Sequence, residues 1–325
     1  MNTLCSIGGS QTTTRQSSTP SLPSASASEA RPDRSNGSDT VAELQPACKF
    51  LHLRPIRAAG SRPPLICFFP GPPGARDLAA ALPEDQPVYE IWWPNVDNES
   101  RYPSVEELAD LFVSEIRKLQ PHGPFQFCGY STFGLVAYEM GQRLLAQGED
   151  VGFLALFDIW HPQFLQSLTP REMARYRILR VIDRLGKYRR ILMKGGASEV
   201  ASNLARFAFN KAKSIGWRLS QKRLSGAGRP VPKPLQIIAS IEANKAYVPP
   251  PYPRRFILIR TEDLLDRKLK DHAVGWNSCA PHGIDLHFVE GDHGTIKDKP
   301  CVHGLVQKIV PYLAATQIQC SEGAP

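Results

Sequence analysis

The sequence predicts an α/β fold in which a mainly parallel sheet is covered by helices on both faces. Short apolar runs of the kind that form buried strands alternate along the chain with segments of helical periodicity. One such run turns directly into a helix within residues 125–140, FQFCGYSTFGLVAYEM. With 325 residues and 42% hydrophobic content, the chain can form one large domain of this class or two small ones.

The individual elements follow from these patterns. We expect strands over residues 50–55, 65–69, 88–92, 125–128, 151–157, 256–259 and 285–289, of which the first lies at an edge and the last alternates in exposure. Helices are expected over residues 104–119, 134–145 and 235–248. Ser104 and Glu107 have the spacing of a capping box, which fixes the start of the first helix.

The domain organisation follows from changes in composition. Residues 1–45 are rich in Ser, Thr, Pro, Ala and Gly and are expected to be a disordered arm, followed by a globular domain over residues 46–316 and a short tail over residues 317–325. The arm lacks the apolar block of a secretory signal peptide. Its composition fits an address read by organellar import or a specialised secretion system, and equally an inert tail.

Residues 161–234 interrupt the alternation and are expected to form an inserted helical lid over the carboxyl edge of the sheet. Residues 171–233 contain seventeen Lys or Arg against three acids, whereas the whole chain has a net charge of only +8. A segment this basic could bind an acidic protein with a phosphopantetheine arm or the phosphates of coenzyme A. The alternative is a solvated basic face without a specific partner. Sparse aromatic residues at helical spacing argue against nucleic acid.

The cysteine and apolar patterns exclude some classes of protein. Seven cysteines occur singly, with neither a Cys-x-x-Cys pair nor a Cys/His cluster, so we expect no disulfide and no zinc. Cys67 and Cys128 fall in apolar strands, where thiols act as small core side chains. No run is long enough to span a membrane. We expect a soluble, cytoplasmic protein without a metal or redox cofactor.

Ser131 occupies the corner between the central strand and the helix that follows it. A side chain at such a corner projects from the sheet edge, with a helix N-terminus behind it. A serine there can act as a nucleophile if a base takes its proton and donors bind the developing oxyanion. The alternative interpretation of Ser131 is a helix N-cap after a glycine turn.

Three further positions extend this hypothesis. Asp158 ends an apolar strand, and His293 lies on the loop after the last strand, which gives the chain order serine, acid, histidine. The alternative for His293 is a surface loop residue. The loop at residues 70–74, PGPPG, offers backbone donors only at Gly71 and Gly74, because proline has no N–H. Its alternative interpretation is a rigid turn.

Taken together, these motifs make the chain similar to the thioesterase family of polyketide and non-ribosomal peptide assembly lines, which are α/β hydrolases. The similarity covers about residues 50–315. It is carried by residues 53–55 (LRP), 64–67 (PLIC), 129–131 (GYS), 135–140 (LVAYEM), 156–158 (LFD), 246–249 (AYVP), 275–276 (GW) and 291–295 (GDHGT).

The resemblance implies a role for each matching residue. Ser131 would be the nucleophile, His293 the general base and acid, and Asp158 the residue that orients the imidazole, with Asp263 as the alternative acid. The oxyanion donors would be the backbone N–H groups of Gly71 and Thr132.

Two positions depart from the family pattern. The family normally has glycine two residues after the nucleophile, where this chain has Phe133 followed by Gly134. Many members carry histidine before the oxyanion loop, where this chain has Phe69.

The implied function is that of a stand-alone α/β-hydrolase thioesterase. It would take an acyl group from the phosphopantetheine arm of a carrier protein or synthetase module, or from coenzyme A, and would release an acid or a lactone, lactam, ester or amide. Two alternatives stay open. One is a non-catalytic carrier-binding scaffold protein, and the other is a general carboxylesterase or lipase.

Overall fold

The protein forms a seven-stranded sheet in the order β1-β3-β2-β4-β5-β6-β7. The computed structural model describes residues 52–69, 74–92, 103–193, 244–262 and 270–322, and isolated positions between 196 and 212. Only β1 runs antiparallel to its neighbour. The strands are β1 (Leu53–Arg57), β2 (Leu65–Phe68), β3 (Val88–Ile91), β4 (Phe125–Tyr130), β5 (Val151–Phe157), β6 (Phe256–Thr261) and β7 (Ile284–Val289). The mainly parallel sheet and the edge position of β1 confirm the predicted fold class.

Helices cover both faces of this sheet. They are α1 (Gly74–Ala81), α2 (Val105–Leu119), α3 (Gly134–Ala146), α4 (Phe164–Ser167), α5 (Pro170–Met193) and α6 (Val302–Glu322). α2 and α3 pack on one face, and α1 and α6 on the other. Alternate residues of each central strand enter opposite cores, so Phe127 of β4 packs with α2 and α3 whereas Cys128 packs with α1 and α6.

The local sequence signals explain the best predicted elements. Ser104 Oγ accepts from the backbone N–H of Glu107, and the Glu107 carboxylate accepts from the N–H of Ser104, so the predicted capping box begins α2. β5 has the predicted bounds, and α3 differs from its predicted end by one residue. Cys67 and Cys128 are fully buried on neighbouring strands, as expected for core thiols.

Several predictions about individual elements were wrong. β1 starts at Leu53 and runs through Pro55 to Arg57, which is feasible because an edge strand tolerates a proline. β7 is half-buried along most of its length and does not alternate in exposure. α1 and α6 were not predicted, since α1 is short and follows a Gly/Pro loop, while α6 contains Pro311. The predicted helix over residues 235–248 is described only from residue 244, and it is helical there up to residue 246.

The described residues cover only part of the predicted domain organisation. The arm at residues 1–45 lies outside the described residues, as does most of the predicted lid beyond residue 193. The first part of that insertion consists of α4 and α5, and α6 extends through Glu322 into the predicted tail. Within the described residues, no helix is long and apolar enough to cross a membrane.

The start of the insertion contacts Tyr247, which follows the insertion in the chain. The Gln163 side chain, at the start of the insertion, donates from Nε2 to the carbonyl of Tyr247, 2.8 Å away. Tyr247 itself is buried, and its hydroxyl donates to Glu139 Oε2 of α3 at 2.7 Å. Tyr247 therefore connects the start of the insertion to α3.

Candidate active site

Ser131 lies at the sharp turn between β4 and α3. β4 ends at Tyr130, one 3₁₀ turn covers Ser131–Phe133, and α3 begins at Gly134. The φ angle of Ser131 is 53°, a left-handed value that is unfavourable for a residue with a side chain and costs roughly 1–3 kcal/mol. The serine is held in this conformation by the strand before it and the helix after it.

Two glycines allow the helix to start this close to the strand. A Cβ on Gly129 would lie 2.4 Å from the Cα of Gly134, and a Cβ on Gly134 would lie 3.0 Å from the carbonyl oxygen of Gly129. Phe133 has ordinary helical angles, with φ −67° and ψ −26°, and its side chain packs against the core beside α3. The close approach that the family assigns to the second position after the serine is thus made by Gly134, one residue later.

Ser131, His293 and Asp158 lie together in one hydrogen-bonded line. Ser131 Oγ is 3.2 Å from His293 Nε2, and His293 Nδ1 is 2.6 Å from Asp158 Oδ2. With a proton on Nδ1 directed at the carboxylate, Nε2 is free to accept the serine proton. The His293 side chain is 56% exposed, so a reacting group can reach it from solvent, whereas Asp158 is buried.

Asp158 is held at the carboxyl end of β5 by its neighbours on β6. Its backbone N–H donates to the carbonyl of Ile259 at 2.7 Å, and its Oδ1 accepts from Arg260 Nε at 3.2 Å. Burial alone would raise the pKa of Asp158, but the hydrogen bond from His293 and the positive charge of Arg260 outweigh it and hold the pKa below the ordinary value of an aspartate. Asp158 is therefore a carboxylate at neutral pH.

The loop that carries His293 is fixed from both sides of the histidine. The Asp292 side chain accepts from the backbone N–H groups of Gly294 and Thr295, at 2.9 and 3.1 Å. The Tyr130 ring stacks on the imidazole with the centroids 5.0 Å apart, and its hydroxyl donates to the carbonyl oxygen of His293. Burial, with smaller contributions from nearby carboxylates, raises the pKa of Tyr130, so its hydroxyl remains a donor.

The proposed oxyanion donors and the alternative acid are less fully described. Thr132 directly follows Ser131 and is half-buried in the 3₁₀ turn, where first-turn N–H groups have no partner within the helix. Gly71 and Asp263 lie outside the described residues. Phe69, where many family members carry histidine, is buried and stacks on Tyr130 with the centroids 6.1 Å apart.

Sequence reasoning missed two residues that contact the line of three. Tyr130 was included only as the middle residue of the motif at residues 129–131, and Arg260 was not singled out. The signal for Arg260 was present in the sequence FILIRT, where an arginine is the next-to-last residue of a fully buried strand. A buried arginine normally has an acidic partner, but the sequence alone does not identify which acid lies opposite.

No cluster of three or more metal-ligating side chains occurs among the residues that the structure describes. The serine lies at the strand-to-helix corner, the acid after the next strand, and the histidine after the last strand. This arrangement on a mainly parallel sheet defines the α/β-hydrolase class of fold.

Comparison with known proteins gives the family within that class. The sequence model of the thioesterase domain matches residues 63–310, so the chain belongs to the thioesterase domain family. This confirms the resemblance inferred from the motifs.

The relatives are assembly-line synthetases. Malpinin synthetase of Mortierella alpina is 36% identical over 146 residues, which are 41% of this chain and 2% of the synthetase. A non-reducing polyketide synthase of an Arthrinium species is 27% identical over 243 residues, 67% of this chain and 11% of the synthase. This chain thus spans only a small part of the relatives it matches.

A solved structure of a four-domain nonribosomal peptide synthetase, bound to AMP and glycine, has a similar fold. The match has a TM-score of 0.51 at 18% identity, and it covers 84% of this chain and 20% of the synthetase.

Proposed function

We propose that this protein is a serine thioesterase that releases an acyl group from a phosphopantetheine thioester. The observation that carries the proposal is the hydrogen-bonded line from Ser131 through His293 to Asp158, located at the strand-to-helix corner of a thioesterase domain. The exposed imidazole and the buried carboxylate are suited to their respective roles, because one must meet substrate and the other must stay fixed.

In the first half of the reaction, Ser131 Oγ attacks the thioester carbonyl while His293 Nε2 takes its proton. The carbon–sulfur bond then breaks, and the imidazolium returns the proton to the departing pantetheine thiol. As donors to the negative oxygen of the intermediate, we propose the N–H of Thr132, in the 3₁₀ turn before α3, together with that of Gly71.

In the second half, a nucleophile attacks the acyl-enzyme ester while His293 Nε2 takes its proton. The ester bond to Ser131 Oγ then breaks, and the imidazolium returns the proton to that oxygen. Water gives the free acid, and a hydroxyl or amine of the acyl chain gives a lactone or lactam. The residues of this chain perform the same proton transfers in each case. No metal or redox cofactor takes part in these steps.

A carrier protein or synthetase module is the proposed source of the acyl group. The insertion presents exposed arginines along α5, namely Arg171, Arg175, Arg177 and Arg180. Positive charge on this helix would attract an acidic carrier before the pantetheine arm enters the site. We propose the cytoplasm as the place of action and no role in nucleic-acid binding.

Labelling of the purified protein by a fluorophosphonate probe, measured by intact mass, tests the nucleophile. One added label is expected, and Ser131→Ala and His293→Ala should each lose it. Ser278→Ala is the matched control, because this exposed serine donates to the Gly275 carbonyl away from the site and its loss should leave labelling intact. Absence of labelling in the folded wild-type protein would contradict the proposal.

A second experiment tests the substrate class. An acyl-pantetheine thioester and the oxygen ester of the same acyl group are compared by kcat/KM, and the thioester is expected to be preferred. Arg171→Gln combined with Arg177→Gln should raise KM for an acyl carrier protein without changing KM for the small thioester. Equal turnover of both esters, with no effect of the arginines, would favour a general carboxylesterase.

A further inference from the structure

Arg260 is an arginine placed inside the protein. Its side chain is only 1% exposed. Burial of a guanidinium costs roughly several kcal/mol of hydration free energy, and only pairing of the charge offsets this cost. It lies near the carboxyl end of β6, beside the end of β5 that carries Asp158. A charged group in such a place either serves the fold alone or acts on the site next to it.

We propose that Arg260 is a positioning residue for the thioesterase reaction, holding one oxygen of Asp158 so that the other faces His293 and offsetting part of the negative charge that His293 experiences. This inference rests on the proposed function. Arg260 itself does not contact the reacting atoms and is not a catalytic residue.

The two oxygens of the Asp158 carboxylate have separate partners. Oδ2 lies 2.6 Å from His293 Nδ1. Oδ1 accepts from Arg260 Nε at 3.2 Å and from both the N–H and the hydroxyl of Thr261 at 3.4 Å. Rotation of the carboxylate would break the contacts of Oδ1, so these neighbours fix the direction in which Oδ2 points.

The guanidinium is itself fixed by contacts outside the carboxylate. Arg260 Nη1 donates to the backbone carbonyl of His272 at 3.3 Å. Its central carbon lies 5.8 Å from the centre of the Trp160 ring, two residues after Asp158. The arginine is thus held between two loops. Its planar guanidinium makes these contacts through separate nitrogen atoms, which the single ammonium group of a lysine could not do.

The charge of Arg260 affects the histidine as well. A carboxylate beside His293 stabilises the protonated imidazolium, which cannot accept the serine proton. Arg260 places a positive charge against the other oxygen of the same carboxylate, so it offsets part of the negative charge that the imidazole experiences. Among the described residues, the other titratable or charged groups near His293 are Tyr130, which stacks on it, Lys297 over the Tyr130 ring, and the carboxylates of Asp292 and Asp298, which act on Tyr130. An Arg260 variant leaves all of these in place.

The test compares Arg260→Gln and Arg260→Lys with the wild-type protein in a pH–rate profile of acyl-pantetheine hydrolysis. In Arg260→Gln the acidic limb of kcat/KM should move up by about one pH unit. Arg260→Lys keeps the charge, so its limb should stay in place, but kcat should fall about tenfold at unchanged KM because the fork is lost. Arg117→Gln is the control, since it removes an arginine of α2 whose ion-pair partner, Glu149, lies before the start of β5, and it should behave as wild type.

An NMR titration gives a readout that does not depend on turnover. In protein with ¹⁵N-labelled histidine, the His293 signal, assigned by its loss in His293→Ala, should become protonated at higher pH in Arg260→Gln than in wild type. The inference would be overturned if the wild-type protein is active and Arg260→Gln shows the same acidic limb of kcat/KM and the same His293 titration as wild type. If that variant does not fold, full kcat in Arg260→Lys would overturn it. An inactive, unlabelled wild type would instead overturn the proposed function.

Discussion

The ring of Tyr130 lies against the imidazole of His293, and the Tyr130 hydroxyl donates to the backbone carbonyl of the same histidine. Tyr130 directly precedes Ser131, so one short segment carries the proposed nucleophile and also supports the proposed base. The distance between Ser131 and His293 therefore depends on a contact made by the last residue of β4.

Removing only the hydroxyl of Tyr130 tests this contact. Tyr130→Phe keeps the stacked ring but loses the bond to the His293 loop, so the free energy of unfolding should fall by about 1 kcal/mol and kcat by roughly tenfold. Chemical denaturation and thioester turnover measure the two effects. Tyr138→Phe is the control, since the Tyr138 hydroxyl donates to the Pro250 carbonyl at 2.6 Å and its loss should affect stability alone. Unchanged turnover in Tyr130→Phe would show that the loop does not need this bond.

The strand-to-helix contact predicts a steep effect of one methyl group. Gly129→Ala places a Cβ 2.4 Å from the Gly134 Cα, where backbone must move, so we expect a loss of about 3 kcal/mol of stability and loss of fluorophosphonate labelling. Gly186→Ala in α5 meets nothing within 4 Å and should instead stabilise the helix by up to about 1 kcal/mol. Thermal unfolding of the two variants checks the contrast. Normal stability of Gly129→Ala would mean that the turn is looser than described.

Restoring the family's usual residue should harm this protein. Phe133→Gly removes a side chain that packs against the core and adds freedom to a turn already closed by Gly134, so a loss of about 2 kcal/mol is expected, without a gain in turnover. The measurement is urea unfolding together with thioester hydrolysis. Faster hydrolysis at undiminished stability would show that Phe133 obstructs the site.

The ion pairs of Asp158 predict a pH dependence of stability. Because its pKa is lowered in the folded state, Asp158 contributes stability that is present above the ordinary aspartate pKa of the unfolded chain and is lost as the pH falls through the lower folded pKa. The difference in unfolding free energy between wild type and Asp158→Asn should be largest at pH 6 and should shrink as the pH falls below about 4.

Asp110→Asn provides the comparison for this pH series. Asp110 is exposed and pairs with Arg143 on the surface, so the effect of its loss should stay below about 1 kcal/mol throughout. A gap for Asp158→Asn that stays constant from pH 6 to pH 3 would contradict the assignment of the charged pair.

The parts of this protein that were predictable from sequence are those set by neighbouring residues. The apolar run of β5 and the Ser104 capping box follow from residues close together in the chain. The positions of Ser131, Asp158 and His293 followed from the order of elements, because parallel strands bring their carboxyl ends to one edge. The short helix α1 was missed because its helical signal is weak after a Gly/Pro loop.

The contacts around the site needed the folded chain. Arg260 lies 102 positions after Asp158, and Tyr130 lies 163 positions before His293. No periodicity connects residues so far apart. The role of Gly134 was likewise not settled by spacing, since the close approach depends on how the 3₁₀ turn enters α3.

The one-residue delay of the second glycine has a consequence for how such proteins are found. A search pattern written as Gly-x-Ser-x-Gly passes over this chain, which reads Gly-Tyr-Ser-Thr-Phe-Gly. A pattern that requires glycine two residues before the serine and three residues after it retrieves the chain, because Gly129 and Gly134 are the pair in contact. A genome survey that uses the Gly-x-Ser-x-Gly pattern therefore misses proteins whose strand-to-helix turn has its second glycine three residues after the serine.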